Sequence, residues 1–403
     1  MNTFKNVQVA HDYNVSSTAV LRWIEGSVKS KNSLQLQKTR NKLKILDSEH
    51  NVAELMRLSE QSVIYKNKIL YSEVTPKPAL YEILRPEQII EIVNFLETKR
   101  VIPHKFEYIG EGSRLWDEFL KDTTGGGGYP YPKIESNILL EIFPFIKAET
   151  RLANKLNLID VACGNVFPTL DILKKLTEEG KLNKYLGIDI SKDMVMIAKA
   201  NLKNILPEIR SEFAECDIEN ENPAQLFFRD RSNINGVTSN VVLFMGGTYG
   251  TIENRSKALG NLRAGMGKDD YLIFSNQLEK VKNRIIGEHP TAMKNLMTWI
   301  PRLLNISVDE CTLASRYNEI EGRRQTVLKL DKDYSIDFEV FGTTRRINLY
   351  KGEEIVLWSH KMSSVHDIIK DAEVAGFKIA LLSVHEEKSM ITLVCKTNDT
   401  ISA

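Results

Sequence analysis

Between residues 156 and 276, apolar runs of strand length alternate with stretches of helical periodicity. Strands are expected at 157–162, 185–190, 211–217, 239–245 and 270–276, and helices at 167–178, 192–204, 222–228 and 254–266. Parallel strands need a crossover between them, so this rhythm folds as a parallel, doubly wound sheet. Such a sheet binds ligands beyond the carboxyl ends of its strands. The first strand ends Ile159-Asp160-Val-Ala162-Cys-Gly164-Asn, an acid followed by a turn of small residues. The second closes on Asp189, and the third on Cys216-Asp217-Ile218. Small residues let backbone approach a ligand closely. An acid ending the second strand suits a ribose diol, whose two hydroxyls donate to one carboxylate. The arrangement points to a nucleoside-containing cofactor.

The turn itself discriminates among cofactors. A dinucleotide site wants G-x-G-x-x-G, whereas this turn offers one glycine, Gly164, with Ala162 as a second small residue. No GxxxxGK[ST] phosphate loop is present. A cationic, zwitterionic nucleoside fits better, and S-adenosylmethionine (SAM) is one. Asp160 would serve its ammonium indirectly, Asp189 its ribose and Asp217 its adenine amine, with Ile218 packing on the ring. Past a helix at 364–375, the apolar stretches 377–384 and 389–395 flank Glu386-Glu387-Lys388, which reads as a hairpin turn. An antiparallel last strand of that kind ends the sheet of class I methyltransferases. The expected architecture is therefore α/β and Rossmann-like, with residues 151–276 and 353–403 forming the SAM-binding core and residues 277–352 an α+β insertion.

The flanking sequence adds an amino-terminal module, 1–72, and a helical segment, 73–150. Residues 1–46 carry eight basic side chains against two acids, although the whole chain has a net charge of only +1. The string Tyr13-Asn-Val-Ser-Ser-Thr-Ala-Val-Leu-Arg-Trp23 is similar to MerR- and excisionase-type helix-turn-helix domains, which makes DNA a candidate partner through residues 5–46. Gly125–Gly128 break the helical pattern as a loop, readable equally as a lid or as a surface excursion. Four dispersed cysteines without a CxxC pair fit reduced thiols, and no apolar run approaches the roughly 18 residues of a membrane span. A cytoplasmic protein is expected. His104, His360, His366 and His385 stand at no metal-ligand spacing, so no metal is expected.

Beyond the generic fold, the chain resembles the histidine-specific N-alpha-methyltransferases of the ergothioneine pathway. The marks are Tyr108-Ile-Gly-Glu-Gly-Ser113, Tyr131-Pro132, Cys216-Asp-Ile-Glu219, Val241-Val-Leu-Phe-Met-Gly246-Gly-Thr-Tyr-Gly250, Asn318-Glu-Ile-Glu-Gly-Arg323 and Ser359-His-Lys361. The resemblance implies that segments 85–135 and 277–352 join in a substrate domain. It implies cofactor contacts at Gly164, Asp189, Asp217 and Ile218, to which Gly246 is added as a further candidate. It also implies a substrate-carboxylate contact at Tyr131 and an amine pocket lined by Gly247. Two departures fall in the acceptor pocket. Thr251 stands where the family has the asparagine that grips the amine, and Arg324-Gln325-Thr326-Val327 replaces the stretch whose glutamate holds the imidazole. An amine-bearing molecule other than histidine is the expected acceptor.

Methyl transfer from a sulfonium needs a lone pair on the attacking atom, and an alpha-amine is partly neutral near pH 8. The protein's task is then alignment and desolvation. The hydroxyls of Tyr131, Thr248 and Thr251 are the candidates to accept amine hydrogens, with Arg324, Gln325 and Val327 completing the substrate set. Trp116 and Tyr249 are candidates to pack on methyl groups. Two alternatives remain at the level of sequence: a DNA-binding regulator whose methyltransferase fold senses SAM, and a methyltransferase of a protein or of an oxygen or sulfur nucleophile.

Overall fold

In a computed structural model of the protein, the structure describes residues 72–124, 131–149, 155–228, 239–280, 289–385 and 389–398. The helix-turn-helix-like stretch, the Gly125–Gly128 loop and the 386–388 turn lie outside the described residues. The chain divides into two compact units, Met1–Ser72 and Glu73–Ala403, and the second is described below.

Strand β1, Ser72–Val74, precedes four helices, Pro78–Ile83, Pro86–Lys99, Glu111–Thr124 and Tyr131–Glu149. The alternating core follows with β2, Leu156–Val161; β3, Leu182–Asp189; β4, Ser211–Glu215; β5, Ser239–Phe244; and β6, Tyr271–Gln277. Strands β7 (Thr312–Asn318), β8 (Arg323–Lys329), β9 (Tyr334–Val340), β10 (Thr343–Leu349) and β11 (Glu354–Lys361) come next. The chain then returns to the core with β12 (Phe377–His385) and β13 (Met390–Thr397).

Seven strands form one sheet in the order β12-β13-β6-β5-β2-β3-β4. The pairs among β2 to β6 are parallel, while β13 runs antiparallel to both β6 and β12. Every residue of β2, β5 and β6 is buried. Continuous burial of that kind is what a parallel strand covered on both faces requires, and it explains why these segments read as unbroken apolar runs. One core cluster packs Ile159, Ile188, Phe244 and Phe274 against Leu259, Ile368 and Ala372. A second packs Leu158, Tyr185 and Ile273 against Phe143, Leu173 and Leu202. The helices are fixed at their ends as well as along their faces. Ser191 accepts from the Met194 amide to cap Lys192–Ile205, and Ser364 and Asp367 form a reciprocal cap on Val365–Val374.

A third core cluster is built by chain far apart in sequence. It joins Leu80, Ile92, Leu96 and Phe106 to Met297, Ile300, Leu328, Phe338 and Ile355. Two three-stranded sheets, β1-β9-β10 and β11-β8-β7, stand beside it. Strand β11 falls in the stretch that the sequence reading assigns to the core, yet it pairs antiparallel with β8 of the insertion, residue for residue from Glu354–Lys329 to Lys361–Arg323 apart from one bulge. Nothing in the local pattern of Ile355-Val-Leu-Trp358 distinguishes those two destinations. No helix among the described residues is long and apolar enough to cross a membrane.

Candidate active site

At the carboxyl ends of the core strands lies a cavity of about 370 Å³. Its first wall is the turn after β2. Ala162, Gly164 and Val166 all have left-handed backbone, with φ of 57°, 53° and 69°. This winding reverses the chain tightly, and it is costly for the two residues that carry a Cβ. A Cβ at Gly164 would meet only the Trp116 indole nitrogen, at 3.6 Å, so that glycine opens the backbone to the cavity. The Gly164 amide donates to Asp189 Oδ2 at 3.1 Å, and the Ser191 amide donates to Asp189 Oδ1 at 3.1 Å. The Ile190 backbone also bears on this carboxylate, and its remaining lone pairs are the sites for further donors. Burial pushes the Asp189 carboxyl up to about 6.

Asp160 stands one layer back. It is buried at the end of β2 and accepts from Thr169 Oγ1 at 2.6 Å and from the Tyr185 hydroxyl at 3.0 Å. It does not line the cavity, so it can reach a ligand only through the turn it supports. Ala162, Gly164, Asp189, Asp217, Ile218 and Gly246 do line it. Asp217 is already well occupied. Its Oδ2 accepts from Lys105 Nζ at 2.8 Å and from Asn220 at 2.9 Å, and its Oδ1 accepts from the Glu219 amide at 3.1 Å. Lys105 also pairs with Glu91 at 2.8 Å. Sequence reasoning missed this lysine because its partners come from two segments far apart in the chain.

The second wall follows β5. Gly246 and Gly247 have φ of 77° and 73° and lead into the short helix Thr248–Thr251. The Gly246 amide donates to the carboxylate of Glu135 at 2.8 Å. Ser275 Oγ donates to the same carboxylate at 2.7 Å, and burial still pushes that carboxyl up to about 7. Gly247, Thr248 and Thr251 line the cavity. Thr251 spends its proton on the Thr248 carbonyl, at 3.0 Å, which leaves its oxygen lone pairs for an outside donor. Tyr249 does not line it; fully buried, its hydroxyl bonds Asp371 and its ring lies 4.4 Å under Arg255. Trp116 does line it. The Tyr131 backbone begins the helix Tyr131–Glu149, and its side chain lies outside what is described.

The third wall comes from β8 and β11. Arg324 lines the cavity, donates to Gln277 Oε1 at 2.5 Å and lies 5.5 Å over the Trp358 ring. Gln325 and Val327, expected beside Arg324 in the substrate set, do not line it. Successive strand residues point to opposite faces. Gln325 instead accepts from Arg316 at 3.0 Å, and Val327 is buried in the pairing with Val356. Thr326, on the Arg324 side, bonds His289 at 2.8 Å. His360 stacks on Trp358 at 5.8 Å, and neither of its ring nitrogens has a hydrogen-bond partner. Burial, reinforced by Arg324, Arg255 and Arg323, holds its pKa well below the usual histidine range, so the ring is neutral. A Cβ at Gly250 would stand 2.2 Å from His360 Nε2, which makes the glycine necessary for the ring's position. The sequence offered a signal for this pairing in two quoted motifs, but nothing to show that they meet.

The turn admits a close ligand, and the Asp189 carboxylate at the cavity wall is an acceptor for a diol, so the residues present fit a nucleoside sulfonium. Asp217 fits an adenine amine on condition that it is shared with Lys105. The family described as histidine-specific, SAM-dependent methyltransferases matches residues 88–397. No curated protein matches the chain. Among solved structures, the chain is similar to an S-adenosylmethionine-dependent methyltransferase from Clostridium acetobutylicum ATCC 824, at 14% identity over 72% of this chain and 98% of that one, TM-score 0.36. It is similar to CalS10, an amino pentose methyltransferase from Micromonospora echinaspora, at 12% identity over 69% and 96%, TM-score 0.36. It is also similar to magnesium protoporphyrin IX methyltransferase from Synechocystis PCC 6803, at 12% identity over 77% and 100%, TM-score 0.36. With that family match spanning the strand ends, the cavity and the β8–β11 wall alike, the chain belongs to the histidine-specific, SAM-dependent methyltransferase family, and S-adenosylmethionine is its cofactor.

Proposed function

We propose that the protein methylates the amine of an amino-acid-like small molecule that is not histidine and that presents an anionic group to Arg324. The observation that carries this reading is Arg324 itself, half-buried on the cavity wall and oriented by Gln277 and Trp358. A guanidinium in a partly dry site binds carboxylate or phosphate in a two-pronged geometry. An imidazole acceptor has no such group to offer beyond its own alpha-carboxylate.

The cofactor supplies an electrophilic methyl on a positively charged sulfur. The chain's residues do the rest. Gly164, Asp189 and Ile218 would hold the nucleoside, and Asp217 would do so jointly with Lys105. Thr251, with its proton committed to Thr248, accepts an amine hydrogen and so turns the nitrogen lone pair toward the donor. Trp116, Phe119 and Met297 line the cavity with apolar surface, which excludes water and strengthens the polar contacts that remain.

The test is incubation with methyl-labelled SAM and a cell metabolite extract, with the labelled product identified by mass. An anionic N-methylated product, lost or strongly reduced with Arg324→Ala, supports the reading. A labelled histidine, or a product labelled on oxygen or sulfur, overturns it.

A further inference from the structure

Just before the helix that carries Trp116, residues His104–Tyr108 form a 3-10 turn. Three residues per turn bring i and i+3 into register, so His104 lies over Glu107. His104 Nδ1 is 2.9 Å from Glu107 Oε2, and His104 Nε2 is 2.7 Å from the Tyr108 hydroxyl. The three groups form a continuous hydrogen-bonded row. Its outer members, Tyr108 and His104, line the cavity. Its inner member, Glu107, is fully buried, and its second oxygen, Oε1, has no hydrogen-bond partner. Leaving such an oxygen unsatisfied costs about 1–3 kcal/mol or more. A fold that needed only packing there would carry an apolar side chain.

We propose that Tyr108, His104 and Glu107 form a proton relay that strips the methyl acceptor's ammonium and stores the proton on the buried carboxyl. The inference rests on the reading of the acceptor as an amine. An ammonium has no lone pair, so it must lose a proton before it can take a methyl group. In the relay its N–H gives a proton to the Tyr108 oxygen. The phenol passes its own proton to His104 Nε2, and the imidazole passes its Nδ1 proton to Glu107 Oε2. Three bonds to hydrogen break and three form. The phenol is restored, the imidazole ends neutral in its other tautomer, and the ammonium and carboxylate charges are both removed. The free amine is left with its lone pair in the cavity.

The store is matched to its task. Burial pushes the Glu107 carboxyl up to about 7 against the pull of His104, the one titratable group among the described residues that bears on it. A base near the working pH is the most effective kind. His104 faces Tyr108 and Glu107 within its own turn, and Trp358 and the neutral His360 from β11.

Nitrogen-15 NMR of the full chain, labelled in histidine, tests the relay without knowledge of the acceptor. His104 should carry its proton on Nε2 below about pH 7 and on Nδ1 above it, and Glu107→Gln should abolish that switch. A His104 tautomer that stays the same through this range overturns the relay. With the amine acceptor in hand, Glu107→Gln and Tyr108→Phe should each lower kcat by about 10²–10⁴-fold near neutral pH. The deficit should shrink at alkaline pH, and SAM affinity should be unchanged. Tyr108→Phe keeps the Glu107–His104 contact, so it guards against a variant that fails to fold, and its tautomer switch should persist. A rise in KM with kcat intact would make the row a structural one and sink the proposal. If the tautomer switches while no amine is methylated, the relay's proton-moving geometry stands, and the amine reading is what fails.

Discussion

Asp189 accepts from the Gly164 and Ser191 amides, with the Ile190 backbone beside it, and has no cationic partner among the described residues to offset its burial, so its proton leaves at about pH 6. Only the carboxylate accepts from both ribose hydroxyls. The competent fraction therefore limits the apparent Kd for SAM. Calorimetry should show affinity rising about tenfold between pH 5 and 7 and then levelling, with Asp189→Asn both weak and flat across that range. Gly250 makes a prediction of another kind. Its Cβ would collide with the His360 ring, which is itself wedged against Trp358. Gly250→Ala should cost roughly 1–3 kcal/mol of stability through overpacking, measurable by denaturant unfolding, and should raise the acceptor KM by displacing a cavity wall. The exposed Gly342, against which a Cβ would meet nothing, has φ of 73°. Its replacement would test backbone strain alone.

At the level of elements, β8 divides its residues by parity. Arg324→Ala should raise the acceptor KM by about 10–100-fold, the worth of a hydrogen bond to a charged group. Gln325→Ala should leave KM near wild type, because Gln325 serves Arg316 on the other face. Steady-state kinetics on the two variants separates them cleanly. The same strand shows where sequence reading succeeds and where it stops. The core strands and helices were legible to within a few residues, since a strand buried on both faces has no choice but an apolar run, and two of the helices between them start on a side-chain cap, Ser191 and Asn254. Asp189, Gly164 and Asp217 were legible because the topology puts the ends of successive parallel strands together. The β8 wall was not. Its facing depends on which residue of a short antiparallel pair lies inward, and a one-residue slip inverts the answer. Likewise Lys105, Glu135 and His360 meet Asp217, Gly246 and Gly250 respectively across more than 100 residues of chain, a distance over which no local pattern reports.

At the scale of the molecule, four buried acids without full compensation stand at the cavity wall or one layer behind it. Burial raises Glu107 and Glu135 from 4.5 to about 7, and Asp160 and Asp189 from 3.8 to about 6. Each therefore binds its proton more tightly in the folded chain than in the unfolded one. Between roughly pH 4 and 7 the native state holds more protons, so stability falls as pH rises through that window. Asp367, held low by Ser364, works in the opposite sense near and below pH 3.8, and the buried His360 and half-buried His289, both held below 6.5, oppose the four acids within the window without matching their number. The melting temperature should thus be higher near pH 5 than near pH 7.5, and Glu135→Gln should flatten the slope. A melting curve that rises over this interval would contradict the burial of these groups.

The left-handed turn after β2 carries a consequence for how the chain tolerates change. Ala162 sits at φ 57° with a Cβ that the conformation penalises by about 1–2 kcal/mol. Ala→Gly loosens the unfolded chain by about 0.4–1 kcal/mol, which elsewhere makes it a harmful exchange. Here relief of strain exceeds that loss, so Ala162→Gly should raise the unfolding midpoint. At Val166 the same exchange also empties a fully buried site, and the gain should vanish. The rim of the cofactor turn is thus a place where adding freedom to the chain should make the folded protein harder to unfold.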